Sequence, residues 1–149
     1  MKQARLYPWI VAAVIGVIVG VLVGISASDA QTTPACTRVT LPVVVNLDDV
    51  KHAHLIAHER DAIEAGQHRT LTWDPNGAAE RRRNDLRGIP TKPGFDRDEY
   101  PPAAAQESAP HADVAYVPSS ENRSGGSVLG LAMRPFCDGQ RFIIEAGRP

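Results

Sequence analysis

From Trp9 to Ile25 the chain runs seventeen residues, WIVAAVIGVIVGVLVGI, without a charge. Lys2 and Arg5 precede this run, and Ser28-Asp29-Ala30 follows it with small residues at the −3 and −1 positions of a possible cut before Gln31. That is the grammar of an export signal. The run is long for a signal core and just short of a relaxed bilayer-spanning helix. A cleaved signal and an uncleaved N-terminal hydrophobic helix that anchors the protein through residues 9–25 therefore both stay open. In either case the two basic residues keep the N-terminus inside and send the rest across. The expected location is thus secreted, or anchored to the outer face of the cytoplasmic membrane. Gly16, Gly20 and Gly24 stand at the spacing of helix-dimerising faces, although glycine is common in such segments.

Residues 1–30 are thereby set apart, and the fold must come from the remaining 119, which hold 11 of the 12 prolines. This remainder carries 14 basic and 16 acidic groups, which excludes a basic nucleic-acid coat and an acidic tail protein. Two cysteines are too few for a disulfide-dense miniprotein or a Cys₄ zinc site. Outside the cytosol, Cys36 and Cys137 read as a disulfide, with two unpaired thiols as the alternative. Closing a loop of about 100 residues would stabilise the fold by roughly 4–5 kcal/mol in the chain-entropy model.

Along the exported part, residues 31–52 read as a linker and a first strand, and 53–149 as the main domain. Residues 31–36 are linker, and Arg38 to Asn46 is β-branched, with Pro42 marking an edge or bulge. Ala53 to Ala65 has apolar residues at 55, 56, 62 and 63 and predicts an amphipathic helix stopped by Gly66. A short strand near Thr70–Trp73, a turn at 74–77 and a helix from Ala78 to Arg87 follow. Ile89 to Tyr100 contains Pro90, Pro93 and Gly94 and reads as ordered loop. Asp113 to Val117 is a strand, Ser119 and Ser120 are candidate N-caps for a helix from about Asn122 to Met133, and Gln140 to Glu145 is a closing strand. The fold class is α+β.

Three clusters could carry chemistry. Asp96-Arg97-Asp98-Glu99 concentrates oxygens that suit a hard cation such as Mg²⁺ or Mn²⁺. One of its carboxylates could take a proton from water, and Arg97 could hold a phosphate; a solvated turn is the plain alternative. Arg81, Arg82 and Arg83, with Arg87 and Lys92, form the only basic concentration, suited to a polyanion or simply paired with Glu80 and Asp85. His54 and His58 stand four apart, but His52, His68 and His111 complete no zinc pattern. Serine elbows, P-loops and dinucleotide fingerprints are absent, so no small-molecule cofactor is expected.

Five stretches then fall into one order: His58-Glu-Arg-Asp-Ala-Ile-Glu-Ala-Gly66, Asn76-Gly-Ala-Ala-Glu-Arg-Arg83, Gly88 to Pro101 (GIPTKPGFDRDEYP), Ala112-Asp-Val-Ala-Tyr-Val-Pro118 and Asn122-Arg-Ser-Gly-Gly-Ser127. Together they resemble the NucA/NucB-type secreted deoxyribonucleases over about residues 54–145. The resemblance implies a small ββα-metal nuclease-like domain with one divalent ion, Mg²⁺ or Mn²⁺. It also implies non-specific endonucleolytic hydrolysis of DNA phosphodiesters. On this pattern Asp98 is the general base, Asn122 orients water or, with Asp98, contacts the metal, and Arg97 and Glu99 belong to the same catalytic motif. Asp96 supports them, and Arg123 reaches the phosphate; the basic concentration of Arg81, Arg82, Arg83, Arg87 and Lys92 supplies the further DNA-binding candidates.

Two departures bear on this. Such relatives carry a polar or acidic metal-serving residue where Leu131-Ala132 follows Gly130 here. They also often have a cysteine pair at the positions of Leu71 and Ala105, which reads as a disulfide relocated to Cys36 and Cys137. A catalytically inactive DNA-binding or regulatory relative on the same fold is the alternative.

Overall fold

Pro42 has no N–H to give to a ladder, and the first strand begins only after it. β1 spans Val43–Asp48, and Val39, upstream, donates its N–H to the Gln140 side chain at 2.9 Å instead. The computed structural model describes residues 36–147. The apolar run at 9–25 and the possible cut before Gln31 lie outside the described residues. Among the described residues no helix is long and apolar enough to cross a membrane.

β1 pairs in parallel with the last strand, β5 (Arg141–Gly147), in a register that sets Val43 against Phe142 and Val45 against Ile144. The short β2 (Leu71–Thr72) pairs antiparallel on the other side of β5, giving the order β1-β5-β2. Central position explains why β5 is apolar: Phe142 is fully buried and meets Trp73 edge-on, centroids 6.1 Å apart. Val45, Leu71, Tyr100, Leu129 and Met133 complete this core, with Leu47, Leu55 and Val117 in a smaller cluster beside it.

Helix α1 (Ala53–Glu64) follows β1, as its apolar spacing predicts. No side chain of its own caps it. Glu121 does so from another helix, accepting the His54 and Leu55 N–H groups and the His54 ring. Helix α2 (Ala78–Asp85) carries the arginine run and buries none of its residues.

β3 (Phe95–Tyr100) and β4 (Asp113–Pro118) form a separate antiparallel pair, and α3 (Ser119–Met133) leaves β4 directly. The loop expected over 89–100 is thus corrected: its second half is a strand. The turn Lys92–Phe95, with Gly94 at φ 82°, launches it. Ser119 and Ser120 do not cap α3, which starts at Ser119 without a side-chain cap. Ser119 donates to Asp96 instead, at 2.8 Å. At Gly125 a methyl group would overlap Leu55 Cδ1, so glycine lets α3 lie close to α1. The result is the α+β class read from the sequence, with a β3-β4-α3 unit in ββα order.

Cys36 and Cys137 form a disulfide, Cα atoms 4.9 Å apart. Backbone bonds on either side, Thr37 N–H to Pro135 O and Cys137 N–H to Thr37 O, hold the two chain segments together.

Candidate active site

β3 puts four charges in a row, and the two-residue period of a strand sends them to opposite faces. Asp96 and Asp98 meet α3 and α1. Asp96 accepts from Ser119, from Arg123 Nε at 2.9 Å and from Arg123 Nη2 at 3.2 Å. The Arg123 bond foremost, then Ser119, holds its carboxyl below the usual range. Arg97 and Glu99 meet α2 and the loop after it. Arg97 donates to the carbonyls of Ile89 at 2.7 Å and Leu86 at 3.3 Å, which fastens that loop. Glu99 accepts from Arg82 at 3.0 Å.

Asp98 has a partner that sequence reasoning passed over. His58, on α1 and with only 5% of its side chain exposed, places Nδ1 2.7 Å from Asp98 Oδ2. Its Nε2 lies 2.9 Å from Oδ1 of Asp113, at the start of β4. Ionised carboxylates only accept, so an imidazole that serves both must donate from both nitrogens. Burial works to lower the His58 pKa. The bonds to Asp98 and then Asp113 outweigh it and hold the pKa above its ordinary value.

A cavity of about 290 Å³ opens beside these residues. Asp96, Asp98, Glu99, Asn122, Arg82 and Arg123 line its polar part, together with Glu59 of α1. Glu59 and Glu99 are both buried. Burial pushes Glu59 up to about 8. It pushes Glu99 up to about 7, against the pull of Arg82. Glu99 Oε1 is buried without a hydrogen-bond partner among the described residues. Among the described residues no three His, Cys, Asp or Glu side chains close into a ready-made metal cage. Carboxylate and amide oxygens facing one cavity, one of them buried and unpartnered, fit a hard divalent cation held by one or two side chains and otherwise by water, as Mg²⁺ commonly is.

The residues singled out in the sequence separate accordingly. Asp98, Glu99 and Asn122 come together at the cavity with Arg82 and Arg123, and Arg97 does not line it. Arg81 is 12% exposed and is held by Asp74 and the Ala103 carbonyl. Arg82 reaches the cavity mouth with 58% of its side chain exposed. Arg83 is exposed on α2, Arg87 is exposed just past its end, and Lys92 lies over the Phe95 ring at 4.1 Å. Leu131 is exposed and Ala132 packs against the core, and neither lines the cavity. Leu71 and Ala105 are both fully buried in the main core. One signal for His58 was available: Leu55, His58 and Ala62 share a helical face, and all three are buried.

A family model described as Deoxyribonuclease NucA/NucB matches residues 58–145, from His58 through most of β5. The chain belongs to the NucA/NucB deoxyribonuclease family. Among curated proteins it is similar to the "DNA-entry nuclease" of Bacillus subtilis (strain 168), 31% identical over 135 residues that cover 91% of this chain and 88% of the relative.

Proposed function

We propose that the protein is an exported, divalent-metal-dependent endonuclease that hydrolyses DNA phosphodiesters without sequence preference. The observation that carries this is the meeting of Asp98 and Asn122, from β3 and α3, at one cavity that Arg82 and Arg123 also border. The disulfide supports export, because such bonds persist in oxidising compartments. Residues 9–25 then serve as signal or as anchor to the outer face of the membrane.

Asp98 is the general base. His58 occupies its Oδ2, while Oδ1 accepts no bond from a described side chain and is left to take the proton of an attacking water. Asn122 and Asp98 are the residues that would hold Mg²⁺ or Mn²⁺. When bound, the ion offsets the negative charge that develops on the scissile phosphate and the leaving 3′ oxygen. Arg82, braced by Glu99, and Arg123, braced by Asp96, present guanidinium groups at the cavity for the phosphodiester backbone. Arg83, Arg87 and Lys92 do not line the cavity and add exposed positive charge elsewhere on the surface. Contacts of this kind position a duplex and do not read its bases. Arg97 keeps the loop after α2 in place, and Arg81 does the same for the turn before it. Leu131 and Ala132 do not line the cavity, so the place of the relatives' polar or acidic ligand would fall to water or to another carboxylate.

The test is nicking of supercoiled plasmid by the purified protein. Activity with Mg²⁺ or Mn²⁺, its loss in EDTA, and its loss in Asn122→Ala are expected. Cleavage that persists through both changes contradicts the metal-dependent reading.

A further inference from the structure

We infer that His58, itself held by Asp113, is a positioning residue that fixes the orientation of the Asp98 carboxylate. The inference rests on Asp98 acting as the base. The terminal torsion of an aspartate is broad, so the β3 backbone does not decide the angle at which the carboxylate presents its free oxygen to the cavity. The bond from His58 Nδ1 to Oδ2, at 2.7 Å, does decide it. A base must meet its water within hydrogen-bond reach, and small misplacements of a reacting group are costly in rate.

The histidine is itself immobilised. Its Nε2 is tied to Asp113 at 2.9 Å, so the ring bridges β3 and β4. In the strand ladder Asp113 stands opposite Tyr100, two residues from Asp98 on the same face of β3. The helix that carries His58 is pinned to α3 by the Glu121 carboxylate and by the close approach at Gly125. Three elements thus converge on one carboxylate, and the ring that joins them is buried.

The experiment compares full-length wild type with His58→Ala, His58→Asn, Asp113→Ala and Asp98→Asn in steady-state plasmid cleavage with added Mg²⁺ or Mn²⁺. Thermal melting and proton NMR of the metal-free proteins accompany it. His58→Ala is expected to lower kcat by about 100-fold with KM for DNA within about twofold. His58→Asn should recover at least about tenfold of that loss, because its amide can donate to Asp98 where Nδ1 did. Asp113→Ala, on a half-exposed residue and so mild for folding, should lower kcat by about three- to tenfold. The wild-type spectrum should contain ring N–H protons protected from exchange, absent in both His58 variants.

Equal kcat in His58→Ala, His58→Asn and wild type overturns the inference. So does an asparagine variant no better than alanine, or a wild-type spectrum without protected ring protons. Unchanged kcat in Asp113→Ala overturns it even where His58→Ala fails to fold. An active Asp98→Asn would instead remove the general-base reading beneath it. An inactive Asp98→Asn beside fully active His58 and Asp113 variants defeats this inference alone.

Discussion

β5 and β3 are strands of similar length held in place by opposite means. β5 lies at the centre of its sheet, between β1 and β2, and is fixed by apolar burial, with Phe142 fully enclosed. β3 has one neighbouring strand and four consecutive charges, each secured by a different part of the molecule. Asp96 is held from α3, Arg97 by the loop carbonyls, Asp98 from α1 and Glu99 from α2. One strand supplies stability that tolerates little change in volume. The other spends its pairing on orientation, and two buried carboxyl groups, its own Glu99 and Glu59 of α1, ionise only with difficulty. On the proposed function stability and chemistry sit on different strands, and substitutions should separate them.

The largest expected loss of stability is on the β5 side. Phe142→Ala should cost about 3–5 kcal/mol in denaturant unfolding. Cleavage per folded molecule should stay near wild type, and a selective loss of kcat in a still-stable variant would break the separation. Replacing Cys36 and Cys137 together with serine should cost about 2–5 kcal/mol by the same measurement. A smaller effect is expected at Glu59, beside β3. Its folded pKa is raised by burial to about 8 from an ordinary value of 4.5. The folded state then holds a proton that the unfolded chain releases first. The associated stability is complete below the unfolded pKa, declines as pH rises, and is gone above the folded pKa. Glu59→Gln should flatten this dependence, so its melting temperature in EDTA gains on wild type as pH is raised from about 4.5 to about 8. Parallel melting curves for the two proteins across that range would contradict the buried-carboxylate account.

Apolar periodicity made much of this fold legible. α1 lies where Leu55, Ile56, Ala62 and Ile63 placed it, and β5 where the run Phe142-Ile143-Ile144 did. β3 escaped because periodicity registers side chains that leave water together, and FDRDEY leaves water by pairing with partners distant in sequence. Pro90, Pro93 and Gly94 truly mark a turn, but they say nothing of where it ends. His58 escaped for a related reason. Its spacing foretells a buried face, whereas its two carboxylate partners lie 40 and 55 residues further on. Asp98 and Glu99 stood out in a cluster of acidic side chains, whereas Asn122 entered only through motif resemblance; all three border one cavity. The strand start at Val43 follows a proline with no N–H to give, and α3 starts uncapped because Pro118, which has no side-chain acceptor, stands at its cap position.

The most direct measurement is kcat for plasmid nicking by Asp98→Asn with saturating Mg²⁺ or Mn²⁺, alongside its melting temperature. Asparagine keeps the shape, with its one oxygen accepting from His58 Nδ1 and its NH₂ turned to the cavity, and cannot take up a proton from water. A fall in kcat of about 10²–10⁴-fold with the fold retained is the predicted result. A variant that nicks DNA at the wild-type rate would contradict the central claim that this carboxylate activates the water.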